Sequence, residues 1–103
     1  MNLNQIERIE HMGKILDEAN EVAAELFEAL EKYAQLREKY RELIEYYNSD
    51  LWTKDFDSQM AGDLPDDLNR ITLNEDTIYD LIVENRILTV RMLELATDNV
   101  KNS

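Results

Sequence analysis

Two long stretches of helical periodicity flank a short irregular middle, and that contrast organises the chain. From Leu3 to Tyr47 apolar residues recur at heptad spacing. One seam position reads Ile9, Leu16, Ala23, Leu30, Arg37, Ile44, and the other reads Met12, Ala19, Leu26, Tyr33, Tyr40, Tyr47. Ile15, Val22, Ala29, Leu36 and Leu43 flank one side, and Ile6, Phe27 and Ala34 flank the other. The pattern predicts a single amphipathic helix over about 3–47, with an apolar face wide enough for at least two partner helices. Glu10 with Lys14 and Glu28 with Lys32 support it as acid-first pairs four residues apart. Only Gly13 interrupts, at a cost of about 1 kcal/mol against Ala.

The second periodic stretch places Ile78, Leu81, Ile82, Leu88, Met92, Leu95 and Ala96 on one face, widened by Tyr79, Val83, Ile87 and Val90. It predicts a C-terminal helix over about 73–99, with the last four residues, VKNS, as a fraying tail. Thr72-Leu73-Asn74-Glu75 has the capping-box spacing, and Asn74 is an alternative N-cap. Glu75 and Asp76 then fall in the first turn, where the helix dipole favours acids.

Between these helices lies the segment Tyr46–Asp76, with the single Trp (Trp52), the single Pro (Pro65) and Gly62. Asn48-Ser49-Asp50 ends the first helix and supplies an N-cap for the next. Leu51 to Ala61 reads as a short helix with Trp52, Phe56 and Met60 on one stripe, and Gly62 stands where a left-handed C-terminal cap is expected. Asp63 as cap and Pro65 in a first turn predict a second brief helix, ending by Arg70 or Ile71. The turn region with its short helices thus covers about 49–71.

These elements make an all-α fold class and a single helical domain over 1–103, with the C-terminal helix running back antiparallel to the first. A first helix of this length extends roughly 68 Å at 1.5 Å per residue, and the last helix is too short to cover it. Residues before about Leu16 to Asn20 are left without an intramolecular partner. Ile6, Ile9, Met12, Ile15 and Leu16 are therefore candidate dimer contacts, in a helical bundle completed by homodimerisation. A bend or break near Gly13 is the other resolution.

Charge narrows the partners. A formal net charge of −12 argues against nucleic-acid and anionic-membrane binding. It permits a basic or helical protein partner or divalent cations, and solubility is its simplest role. There is no Cys, so neither disulfides nor a thiolate nucleophile, and His11 is the only His, which removes His-based metal clusters within one protomer. The N-terminal residues lack the pattern of a secretory signal, and no apolar run reaches the length of a membrane span. The expected location is the cytoplasm.

Candidate chemistry is sparse. Glu7/Glu10, Glu18/Glu21, Glu25/Glu28, Glu28/Glu31 and Glu42/Glu45 have the E-x-x-E spacing by which all-helical nucleotide pyrophosphohydrolases hold Mg²⁺. So many acids on one helix generate that spacing by themselves, and a solvated face explains them. Asp55-Phe56-Asp57-Ser58-Gln59 begins like a calcium loop but lacks its Gly and its terminal Glu. Asp63, Asp66 and Asp67 are accounted for as caps and first-turn acids. No catalytic residue, cofactor or metal ligand is assigned, and the balance leans away from an enzyme. Trp52 with Tyr46, Tyr47 and Phe56 predicts an aromatic plug at one end of the bundle or, alternatively, a binding surface. Arg70 is expected to pair with Asp66, Asp67 or Asp76. These five residues, Tyr46, Tyr47, Trp52, Phe56 and Arg70, form the candidate interaction surface. Arg37 and Tyr40 are polar-tipped seam positions suited to setting register.

The middle of the chain, with YYNSDLW and DLPDDLNRITLNEDTIYDLI, resembles a bacterial family of small acidic helical proteins classed as a domain of unknown function. The resemblance rests on Tyr46, Tyr47, Trp52, Leu64, Pro65, Arg70, Glu75, Asp76, Tyr79, Asp80 and Leu81, and covers roughly the second two-thirds of the chain. It implies a single-domain unit and brings no activity with it. The residues favour a non-enzymatic dimeric protein-interaction module. The alternatives are a Mg²⁺-dependent nucleotide pyrophosphohydrolase, a helical bundle of the bacteriocin-immunity kind, or an acidic nucleic-acid mimic.

Overall fold

The computed structural model describes residues 3–103. Its elements in order are helix α1 (Leu3–Tyr47), helix α2 (Asp50–Met60), a single 3-10 turn (Ile71–Leu73) and helix α3 (Thr77–Lys101). Every regular element among the described residues is helical. Gly13 lies inside uninterrupted helix, so the break considered there does not occur. By contact the chain divides into two units, Met1–Arg41 and Glu42–Ser103.

Within the first unit α1 has no buried residue. In the second unit the buried side chains are Leu73 of the 3-10 turn and Ile78 of α3. The 3-10 turn packs against both α2 and α3. It is the piece that draws the second unit together.

The α1–α2 junction is closed by backbone bonds from Asn48 N–H to Ile44 and from Ser49 N–H to Tyr46, at 3.1 and 3.0 Å. Ser49 stands at the N-cap with extended backbone, yet its hydroxyl makes no cap bond to α2. Instead Ser49 Oγ donates to the Tyr46 carbonyl at 2.7 Å, a second bond to the acceptor that its own N–H already holds. The expected Ser49 cap therefore serves the preceding helix.

Helix α2 ends as its sequence predicts. Gly62 has φ of 76°, Gly62 N–H donates to Gln59, and Asp63 N–H donates to Ser58, both at 3.0 Å. That bond pair is the Schellman pattern, which needs a left-handed residue and so favours Gly. Met60, placed on the aromatic stripe by spacing, is 72% exposed and does not join it.

Two expectations for the following segment are corrected. The stretch from Asp63 to Arg70 is no helix; it contains a turn closed by Leu68 N–H to the Pro65 carbonyl at 3.4 Å. The Arg70 guanidinium takes the Leu64 and Pro65 carbonyls, acceptors that a helix would reserve for its own N–H groups. The last helix starts at Thr77 rather than Leu73, because Leu73 is buried in the 3-10 turn, its N–H bonded to Arg70 at 2.9 Å.

Thr72 is accordingly not a cap. The chain enters α3 through an Asx turn, with Asn74 Oδ1 accepting from Asp76 N–H at 2.9 Å. Thr77 Oγ1 donates to the Ile71 carbonyl at 2.6 Å. Glu75 and Asp76 precede the helix, and Asp80 is the acid of its first turn. At the far end α3 continues through Val100 to Lys101 instead of fraying. Lys101 suits the negative end of the dipole, and the Asn102 side chain donates to the Asp98 carbonyl at 2.9 Å.

Candidate functional site

The candidate aromatic residues sit where α1 hands over to α2. Tyr47, near the last turn of α1, meets Trp52 edge-on, with centroids 5.4 Å apart and planes at 75°. Trp52 and Phe56, one helical turn apart on α2, stack at 5.2 Å and 17°. Both geometries are favourable for ring quadrupoles, and such pairs add about 0.5–1.5 kcal/mol beyond burial. All three rings are half-buried.

Polar anchors fix the cluster. Trp52 Nε1 donates to the Thr72 carbonyl at 2.8 Å, and Gln59 Nε2 donates to the Leu73 carbonyl at 3.3 Å. One face of α2 thus holds two successive carbonyls of the 3-10 turn. The sequence reads Thr72 as a cap and Gln59 as part of a calcium-loop-like stretch, neither as an anchor of this cluster. Gln59 lies three residues after Phe56, on the same side of α2 as the rings, which is the only signal that marked it.

Tyr46 is not one of the stacked rings. Its hydroxyl donates to Asp55 Oδ2 at 2.6 Å. Partial burial, the hydrogen bond to Asp55 and that carboxylate's charge together push the phenol up to about 12. Ionising Tyr46 would place two negative charges side by side, so the pair holds the phenol neutral.

Arg70 is separate from the rings. Its Nη2 donates to the Leu64 carbonyl at 3.2 Å and to the Pro65 carbonyl. The expected ion pair is marginal, with Asp66 Oδ1 at 4.0 Å and its carboxylate fully exposed. Its Nε is buried without a hydrogen-bond partner. The guanidinium works here as a clamp on turn carbonyls, with one nitrogen, Nη2, donating to both.

The five candidate dimer contacts lie along α1. Ile6, Ile9, Met12, Ile15 and Leu16 are between 41% and 60% exposed. Further along, Val22, Leu26, Leu30 and Leu36 are exposed as well. On α3, Leu81, Leu88 and Leu95 are exposed, and only Ile78 is buried. Among the described residues, no three His, Cys, Asp or Glu side chains group so as to hold a metal ion. Among the described residues no helix is long and apolar enough to cross a membrane.

The fold and the site define a small all-α protein whose middle is closed by an aromatic stack on a 3-10 turn. Residues 9–95 match the family described as Domain of unknown function (DUF4298), and the chain belongs to that family. No curated protein matches it. No solved structure matches it either.

Proposed function

We propose that this chain is a non-enzymatic protein-interaction module that works as a homodimer in the cytoplasm. Its helices complete a bundle with those of a second copy, and an antiparallel course of the C-terminal helix belongs to the same proposal. One observation carries the reading, namely the continuous apolar face of α1 from Ile6 to Leu36 with no buried residue along it. Soluble monomers rarely leave a contiguous apolar patch of that extent uncovered.

The acidic surface, at net charge −12, suits a basic or helical protein partner for the assembled dimer. The hydrolase alternative rests on the E-x-x-E spacings of α1 alone, and no specific geometry favours it.

Size-exclusion chromatography with light scattering tests the dimer. The expected mass at micromolar concentration is twice the 12.2 kDa of one chain. A monodisperse species at the single-chain mass would overturn the proposal.

A further inference from the structure

The charges and volumes along α1 specify how two copies would meet, an inference that rests on the dimer reading above. From Asp17 to Glu31 the helix carries Asp17, Glu18, Glu21, Glu25, Glu28 and Glu31 with no cation among them. From Lys32 to Arg41 the balance reverses, with Lys32, Arg37, Lys39 and Arg41 against Glu38 alone. All of these residues lie on one continuous helix within the first unit.

We propose that α1 pairs with α1 of a second copy in antiparallel orientation, about a two-fold axis close to Glu28. Three physical arguments select this arrangement. A parallel, in-register pair would set the acidic run against its own copy and the basic segment against its own copy. The antiparallel pair lays residues 32–41, net positive, along residues 15–24, where Asp17, Glu18 and Glu21 stand without a cation, and leaves only Glu25, Glu28 and Glu31 facing their own copy. Arg37 apart, these charges stand on the outer side of the helix, so they act through the field each segment presents, which attracts segments of opposite sign and repels segments of like sign.

The second argument is volume. With the axis at Glu28, the layers facing one another are Leu26 with Leu30, Ala23 with Tyr33, Ala19 with Arg37, and Leu16 with Tyr40. Alanines then oppose two of the bulky seam positions, Tyr33 and Arg37, as an evenly filled core requires. In a parallel pair Ala19 and Ala23 would face themselves and leave gaps, while Arg37 would face Arg37.

The third is exposure. Leu16, Leu26 and Leu30 are each more than 40% exposed in the single chain, while Tyr33 and Tyr40 are half-buried. Val22 and Leu36, on the flanking position, are exposed in the same way and widen the contact. A seam built of these residues removes apolar surface that nothing else in the first unit covers.

Orientation is read directly by distance. The chain has no cysteine, so single-cysteine variants His11→Cys and Glu28→Cys accept one spin label each without further change. Light scattering on the labelled chains establishes the dimer first, and double electron–electron resonance then gives the distances. At 1.5 Å per residue, labels at position 11 are expected roughly 50 Å apart, whereas labels at position 28 fall within about 30 Å. Short distances at both positions indicate a parallel dimer, and a long distance at position 28 indicates a dimer through another surface. Either result overturns the antiparallel inference while leaving the dimer standing. A monomeric mass overturns the dimer reading itself.

Discussion

Trp52 donates its indole N–H to the carbonyl of Thr72, twenty residues further along the chain, at 2.8 Å. That bond joins α2 to the 3-10 turn beside Leu73, one of the two buried side chains of the second unit. Trp52→Phe keeps a ring on Phe56 and removes the bond, leaving the Thr72 carbonyl short of a donor. The expected loss is about 1–2 kcal/mol. Trp52→Ala also removes the stack and should cost about 3 kcal/mol, the low end for a half-buried ring. Urea unfolding followed by circular dichroism at one protein concentration measures both. Wild-type midpoints for the two variants would refute the anchoring role.

The two glycines should respond with opposite signs. Gly62 has φ of 76° and open space around the site of a Cβ, so Gly62→Ala suffers from backbone conformation and not from a clash. A loss of about 1 kcal/mol is expected. Gly13 is helical with the same open surroundings, and Gly13→Ala should add up to about 1 kcal/mol. Thermal melts of the two variants side by side decide the matter.

Tyr46 and Asp55 form a pH-sensitive contact. The folded-state pKa of the phenol, about 12, lies above the ordinary value of 10.0. A raised folded pKa means the unfolded chain ionises first, so this contribution is fully present below pH 10.0 and disappears as pH rises through about 12. Tyr46→Phe should therefore lose a contribution that is flat below pH 10.0 and should flatten the alkaline decline. Asp55→Asn should bring the phenol back toward its ordinary range. The absorbance change at the tyrosinate band, taken as the difference between wild type and Tyr46→Phe, reads both.

Arg70 clamps the Pro65 turn through carbonyls rather than through acids. Arg70→Ala should cost about 1.5 kcal/mol, reduced from the full value of charged hydrogen bonds by partial exposure. Arg70→Lys should recover part of it, since both bonds come from one nitrogen, Nη2, and an ammonium also carries its donors on a single nitrogen. Asp66→Asn should leave stability unchanged within error, because Asp66 is fully exposed and 4.0 Å from the guanidinium. A large effect of Asp66→Asn in denaturant titrations would restore the ion pair as the main tie.

Charge reversal probes the α1 pairing in solution. Lys39→Glu with Arg41→Glu should weaken the dimer by about tenfold or more, an effect of about 1.4 kcal/mol. Adding Asp17→Lys and Glu18→Lys to the same chain should restore it, because in the antiparallel pair the reversed segments face one another. Sedimentation equilibrium at low salt is the appropriate measurement, since exposed charges are screened as ionic strength rises. Failure of the second pair to restore association would count against the orientation.

The helices were readable from the residues because their causes are local. Heptad recurrence and acid-first pairs act within one or two turns, and they mark α1 without reference to any other part of the chain. Gly62 was readable for the same reason, since a left-handed cap is a property of one residue and its hydrogen-bonded neighbours. Leu73 shows where local reasoning stopped. Its neighbours have the spacing of a capping box, which argued for a helix start, yet burial between α2 and α3 places it in a 3-10 turn.

Arg70 makes the same point from the polar side. Acids surround it in sequence, so ion pairing was the natural expectation, but the chain brings the Leu64 and Pro65 carbonyls to its guanidinium instead. The sequence by itself determined that this protein is all-helical, where its two long helices lie and that Gly62 ends α2. Only the tertiary structure decided that Thr72 and Leu73 serve α2, that Tyr46 turns to Asp55, and that α3 begins at Thr77. Those contacts join residues between six and twenty positions apart, and their energy depends on which carbonyls and rings burial leaves to be satisfied.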